Sequence, residues 1–132
     1  MPIVLDTHAW LWWAAEDPRL SAAARRAINR SLETEEVLLS LISVWELAKK
    51  VEKRQLVLDR PVGQWIDKAV MREGLQLVEL TRPVLIASCQ LPAPFHGDPA
   101  DQIIVATARD REATLVTKDA QIRGYAHVKS VW

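Results

Sequence analysis

Five acidic residues stand out by where they fall along the chain. Asp6 directly follows the short apolar run Pro2-Ile-Val-Leu5. Glu46 ends the segment Ser43-Val-Trp-Glu46, just beyond Val37-Leu-Leu-Ser40. Asp98 and Asp101 bracket Pro99-Ala100 ahead of an apolar run, and Asp119 comes two residues after Thr114-Leu-Val-Thr117. Short apolar, β-branched runs mark buried strands, and in open parallel sheets ligands gather beyond the carboxyl ends of the strands. The acids therefore converge on one sheet edge. Two like charges 4 Å apart repel by roughly 4 kcal/mol at an effective dielectric near 20, whereas a helix N-terminus returns only about 0.3–1 kcal/mol per charge. Four carboxylates sharing one pocket require either raised pKa values or a divalent cation. An all-oxygen donor set without a Cys or His cluster suits Mg²⁺ or Mn²⁺ rather than Zn²⁺. Such cations polarise phosphoryl oxygens and activate water, so the chemistry indicated is phosphodiester hydrolysis.

Each acid also has a local alternative. Asp98 is a good N-cap, Pro99 a good first helical residue, and Asp101 falls at the third position, where an acid meets the positive helix end. Ser43 and Glu46 have the spacing of a capping box. Asp6 and Asp119 can cap the helices that follow them. Asp98 at the cap is expected to turn its side chain back toward the helix amides, leaving Asp101 to project into the pocket.

The elements that must carry these residues alternate along the chain. Strands are expected at 2–5, 37–40, 75–80 and 114–117, with a fifth within 127–131. Helices are expected over 7–15, 21–32, from Ser43 to about 55, 61–73 closed by Gly74 in left-handed geometry, 82–90, 99 to about 112, and roughly 119–123. Strands that are apolar along their length, interleaved with helices, imply a mostly parallel sheet of about five strands covered by helices on both faces. No repeat, linker or low-complexity segment interrupts 1–132, which reads as a single α/β domain.

Composition excludes several classes. With 17 basic and 17 acidic residues the net charge is zero, so a nucleic acid or membrane must be met by a local patch, not a global field. The single cysteine, Cys89, set in an apolar context, makes no internal disulfide and fits a reducing cytoplasm. The first ten residues lack a basic start and meet an acid at position 6, unlike a signal peptide. The longest apolar stretch, near 37–45, is too short and too broken by serine to span a bilayer. The four glycines form no phosphate-cradling loop, which removes nucleotide-binding oxidoreductases.

Four segments carry a resemblance. Leu5-Asp-Thr-His-Ala-Trp-Leu-Trp-Trp13, Ser43-Val-Trp-Glu-Leu-Ala-Lys-Lys50, residues 96–108 (HGDPADQIIVATA) and Leu115-Val-Thr-Lys-Asp-Ala-Gln-Ile122 together resemble the PIN-domain ribonucleases. Within them the chain is most similar to the VapC-type toxins of bacterial toxin–antitoxin pairs, over essentially its whole length. The resemblance implies a PIN-like domain over 1–132, with Asp6, Glu46, Asp101 and Asp119 as catalytic residues and ligands of Mg²⁺ or Mn²⁺. It implies Asp98 as a supporting acid, while Thr7, Ser43 and Thr117 stand where hydroxyls would orient the carboxylates. It further implies an RNA substrate, inhibition of translation, a cognate antitoxin protein that masks the site, and a homodimer. Gln102 and Lys118 stand where that family often has arginine.

Trp10 and Trp13 share a helical face and are expected in the core, whereas Trp12 points elsewhere, free to meet a partner or stack a base. The run 49–54 (KKVEKR) reads as a solvated helix face or a local basic patch for an RNA backbone. His8 and His96 flank the acids and read as structural or surface residues. The competing functions are an aspartyl phosphatase with Asp6 as nucleophile, which usually carries a second acid where this chain has His8, and a phosphoacceptor signalling module.

Overall fold

The computed structural model describes residues 1–34 and 36–132. In chain order the elements are β1 (Ile3–Leu5), α1 (Thr7–Ala14), α2 (Ala22–Leu32), β2 (Val37–Ser40), α3 (Leu41–Glu52), α4 (Val62–Val70), β3 (Leu75–Val78), α5 (Arg82–Ser88), α6 (Pro99–Asp110), β4 (Thr114–Val116), α7 (Ala120–Arg123) and β5 (Ser130–Val131). The strands form one sheet in the order β3-β2-β1-β4-β5, and every adjacent pair is parallel. Going out from β1, β2 lies on one side and β4 on the other. The chain thus switches direction of travel between β1 and β4, where open α/β sheets leave a crevice beyond the strand ends.

Alternation along the strands divides the core in two. Ile3 and Leu5 of β1, Val37 and Leu39 of β2, and Val116 of β4 pack with Trp10 and Trp13 of α1, Ile28 of α2 and Leu47 of α3. Trp65 of α4 closes this layer by meeting Trp10 edge-on at 5.5 Å. On the opposite face Val4, Leu38 and Leu115 pack with Ile104, Val105 and Ala108 of α6 and Ile122 of α7. Helices cover both faces, and the three central strands are buried throughout apart from Thr114.

Four expectations need correction. Helix α3 starts at Leu41, directly after β2, because the Ser40 hydroxyl accepts from Ile42 N at 3.2 Å. Ser43 lies inside the helix, its hydroxyl spent on Thr7, so the capping box with Glu46 does not form and Glu46 falls beyond the first turn. Helix α4 ends at Val70, short of Gly74. Gly74 does hold the left-handed φ of 87°, but in the turn into β3, where an added Cβ would lie 2.7 Å from Leu32 Cδ2. Strand β3 stops at Val78 and leaves Leu77 exposed, since as an outer strand it is covered on only part of its surface. Cys89, at the end of α5, is exposed despite its apolar neighbours in sequence.

Candidate metal centre

Asp6 leaves β1 and caps α1 with a carboxylate that is almost wholly buried. One oxygen accepts from Thr7 N at 2.8 Å, and the other accepts the Thr117 hydroxyl at 2.6 Å. That hydroxyl in turn accepts from Asp119 N at 3.1 Å, so the turn after β4 is fastened to the end of β1 through one side chain. Asp119 caps α7 by accepting from Ile122 N at 3.0 Å. Thr7 and Ser43, both buried, face each other with hydroxyl oxygens 2.9 Å apart, joining the starts of α1 and α3.

Asp98 caps α6 as its sequence indicates, accepting from Asp101 N at 3.0 Å. The same carboxylate also reaches the pocket. Glu46, Asp98 and Asp101 each place a ligand oxygen within 4.8 Å of the others. Oxygen ligands of one Mg²⁺ lie at most about 4.2 Å apart, so the three donors are close enough to share a divalent cation once the side chains draw in slightly. Asp98 thus combines the cap with a place in the donor group, and the division of labour between the two aspartates is less sharp than the sequence suggests. Asp6 and Asp119 contribute no oxygen to this group, yet their charges are close enough to be felt within it.

The electrostatics show what the arrangement costs without a cation. Burial first, then the charges of Asp6, Asp98, Glu46 and Asp119, push the Asp101 carboxyl up to about 8. Glu46 is also raised, by burial above all and by Asp6 and Asp98, against a hydrogen bond from Thr7 and the charge of Lys50. His8 is lowered by burial, a shift that Asp6 and Asp119 oppose. Its Nε2 accepts from Lys118 N at 3.0 Å, which leaves the ring proton on Nδ1, 3.6 Å from Asp6 Oδ2.

Of the expected site residues, Glu46 and Asp101 meet in the donor group, joined by Asp98. Asp6 and Thr117 form a buried pair beside it, Thr7 and Ser43 brace the helix starts, and Asp119 lies at the margin. His96 belongs with them more closely than its sequence context implies. Its Nδ1 accepts from Asp98 N at 3.3 Å and its Nε2 lies 3.3 Å from Asp101 Oδ2. Gln102 donates from its amide to His96 O at 3.0 Å, so it pins the loop ahead of α6 where an arginine would add charge. The only cue in sequence was the nearness of His96 to the acids.

The dual position of Asp98 gives a testable outcome. Asparagine caps nearly as well as aspartate, so Asp98→Asn is expected to melt close to the wild type while binding the cation more weakly. Asp98→Ala is expected to lose about 1 kcal/mol of stability as well. Thermal melting and a metal titration of both variants check this, and wild-type metal affinity in Asp98→Asn would reduce Asp98 to a cap.

Comparison with known proteins agrees with this architecture. The family model described as PIN domain matches residues 3–128. The chain is 38% identical over 129 residues to Ribonuclease VapC22 of Mycobacterium tuberculosis, covering 98% of this chain and 95% of that protein. Among solved structures, VapBC2 from Rickettsia felis bound to a promoter DNA fragment superposes with a TM-score of 0.74 at 17% identity, covering 99% of this chain and 98% of the other. A toxin–antitoxin complex from Klebsiella pneumoniae gives 0.66 at 17% identity, covering 98% and 96%.

Proposed function

Because the chain belongs to the PIN domain family, we propose that it is a metal-dependent endoribonuclease, the toxin of a toxin–antitoxin pair, that inhibits translation by cutting RNA. The observation that carries this is the donor group itself: Glu46, Asp98 and Asp101 place carboxylate oxygens within 4.8 Å of one another, and partial burial with four surrounding acids pushes the Asp101 carboxyl up to about 8. Perturbed carboxylates packed this closely are characteristic of functional sites, and an all-oxygen donor group matches a hard divalent cation. Glu46, Asp98 and Asp101 would hold Mg²⁺ or Mn²⁺, with Asp6 and Asp119 supplying further negative charge at its edge. When bound, the cation polarises a phosphoryl oxygen and lowers the pKa of water. Thr117 and Thr7 hold Asp6 in one orientation, and the Thr7–Ser43 contact keeps the first turn of α3 against α1. Lys50 and Lys118, close enough to His8 to lower its pKa, offer positive charge for the phosphates of a bound strand.

The reading extends to an antitoxin protein, in line with the VapBC and toxin–antitoxin assemblies that share this fold, and to a homodimer. Trp45, Val57, Met71 and Ile86 remain exposed, apolar surface of the kind that partners cover. No helix among the described residues is long and apolar enough to cross a membrane, and a chain acting on RNA in translation works in the cytoplasm. The aspartyl phosphatase and phosphoacceptor readings are not supported. Both Asp6 oxygens are engaged by Thr7 and Thr117, and the second position after it is a neutral histidine rather than an acid.

The test is incubation of the purified chain with total RNA in Mg²⁺, in Mn²⁺ and in EDTA, with the cut ends mapped. Cleavage is expected with a cation and none in EDTA. Intact mass after incubation with acetyl phosphate is expected to stay unchanged, and a stable gain of one phosphoryl group would favour the phosphoacceptor instead.

A further inference from the structure

Beside Asp6 lies a cluster of rings to which the cleavage chemistry assigns no work. His8 and Trp12, four residues apart on α1, share a helix face, with ring centres 5.1 Å apart. Trp132 joins them, 5.9 Å from His8 and 5.7 Å from Trp12. Strand register explains its arrival. Val131 is the partner of Val116, and Thr117 N donates to Val131 O at 3.2 Å, so the next residue, Trp132, emerges beside Lys118 at the same edge as Asp6. Two cations lie against Trp12: the Arg19 guanidinium 4.9 Å from the ring centre and the Lys118 ammonium at 5.7 Å.

Trp10, on the neighbouring face of α1, shows what a purely structural tryptophan looks like here: it is completely buried. Trp12, Trp132 and His8 are each only partly covered. A half-open aromatic cluster lined by cations is the arrangement by which proteins hold single-stranded nucleic acid without a sequence code, stacking bases on rings and tracking phosphates with charge. The acidic centre next to it repels a polyanion, and the net charge of zero supplies no compensating field. A local grip is therefore required close to the site. His8 brings the rings to it, its Nδ1 lying 3.6 Å from Asp6 Oδ2.

We propose that Trp12 and Trp132 form a stacking subsite for a base of single-stranded RNA next to the cleaved phosphodiester, with Lys118 on an adjoining phosphate. This rests on the ribonuclease function proposed for the acidic centre. Arg19 is also held by Asp17 at 2.8 Å, so the exposed Lys118 is the cation assigned to the strand.

The test uses the full chain and a single-stranded oligoribonucleotide carrying 2-aminopurine, with steady-state cleavage in Mg²⁺ and binding in EDTA. Trp132→Leu keeps apolar packing and removes the ring, and Trp132→Phe restores a ring. The leucine variant is expected to raise KM about five- to a hundredfold with kcat little changed and to lose the quenching of 2-aminopurine, with phenylalanine recovering much of both. Lys118→Ala gives up the ammonium over Trp12 but leaves both tryptophan rings and the backbone donor to His8 in place. It is expected to lower the slope of log affinity against log salt by about 0.7, as for one phosphate on a single strand. Wild-type KM and quenching in Trp132→Leu would overturn the subsite. So would a fall in kcat and stability at constant KM that phenylalanine does not rescue, and so would an unchanged salt slope in Lys118→Ala. A wild-type chain that neither binds nor cuts the RNA would overturn the ribonuclease function and the subsite with it.

Discussion

Asp101→Asn is expected to abolish metal-dependent RNA cleavage while making the metal-free protein more stable above neutral pH. The Asp101 carboxyl is raised from the ordinary 3.8 to about 8 in the folded chain. Between those values the folded state keeps a proton that the unfolded state has released. Metal-free stability therefore falls as pH rises through this window, by up to about 1.4 kcal/mol per pH unit, and levels off above the folded value. Glu46, also raised, acts in the same direction. Asparagine is neutral at every pH and removes the Asp101 share of the slope. Because the acids share protons, the total gain near pH 9 is expected to be a few kcal/mol, or roughly ten degrees in Tm. Cation binding must expel the proton, so affinity is expected to climb toward pH 8 and binding at pH 7 to release about one proton. Melting in EDTA from pH 5 to 9, with calorimetry in buffers of different ionisation enthalpy, measures both. A flat wild-type profile in EDTA would contradict this account of the cluster.

Asp6→Asn is expected to cut cleavage by at least about a hundredfold with the fold retained, a loss at the upper end of what partners of metal ligands show on mutation. The asparagine oxygen still accepts from Thr7 N, and its amide can turn toward the Thr117 hydroxyl, which is able to accept. What disappears is a buried charge. Of the neighbouring charges, that of Asp6 does most to hold the Asp101 carboxyl up. In this variant the fall of metal-free stability with pH is therefore expected to begin and end at lower pH than in the wild type. Full cleavage in a folded variant would remove Asp6 from the chemistry. An unmoved pH profile would show that its charge is screened from Asp101.

Much of this site was legible because its signals are local. The cap at Asp98, the exit of Asp6 from a β-branched run and the turn at Asp119 each depend on a few neighbouring residues, and the alternating pattern calls for a parallel sheet. What stayed hidden depends on distant packing. Ser40 and Ser43 are equally good caps in sequence, and only the direct run of β2 into α3, with Thr7 facing Ser43, decides between them. The entry of Asp98 into the donor group follows from how α3 packs on α6, which no local pattern encodes. Trp12 was expected to stand free but is half-covered, because Trp132 arrives from the far end of the sheet.

The hydrogen bond from Thr117 to Asp6 spans 111 positions of sequence. On a ribosome, β1 is made well before one of its two neighbours, β4. At about 5–20 residues per second, the interval between Asp6 and Thr117 is on the order of ten seconds. Throughout that time the growing chain already carries Asp6 and then Glu46, and late in it Asp98 and Asp101, but not the strand and hydroxyl that lock Asp6 in place. Non-local pairing of this kind is slow to form and comes late. Until β4 docks beside β1, Asp6 lacks the Thr117 hydroxyl that fixes it, so the acidic centre cannot be completed before the chain has been made as far as β4.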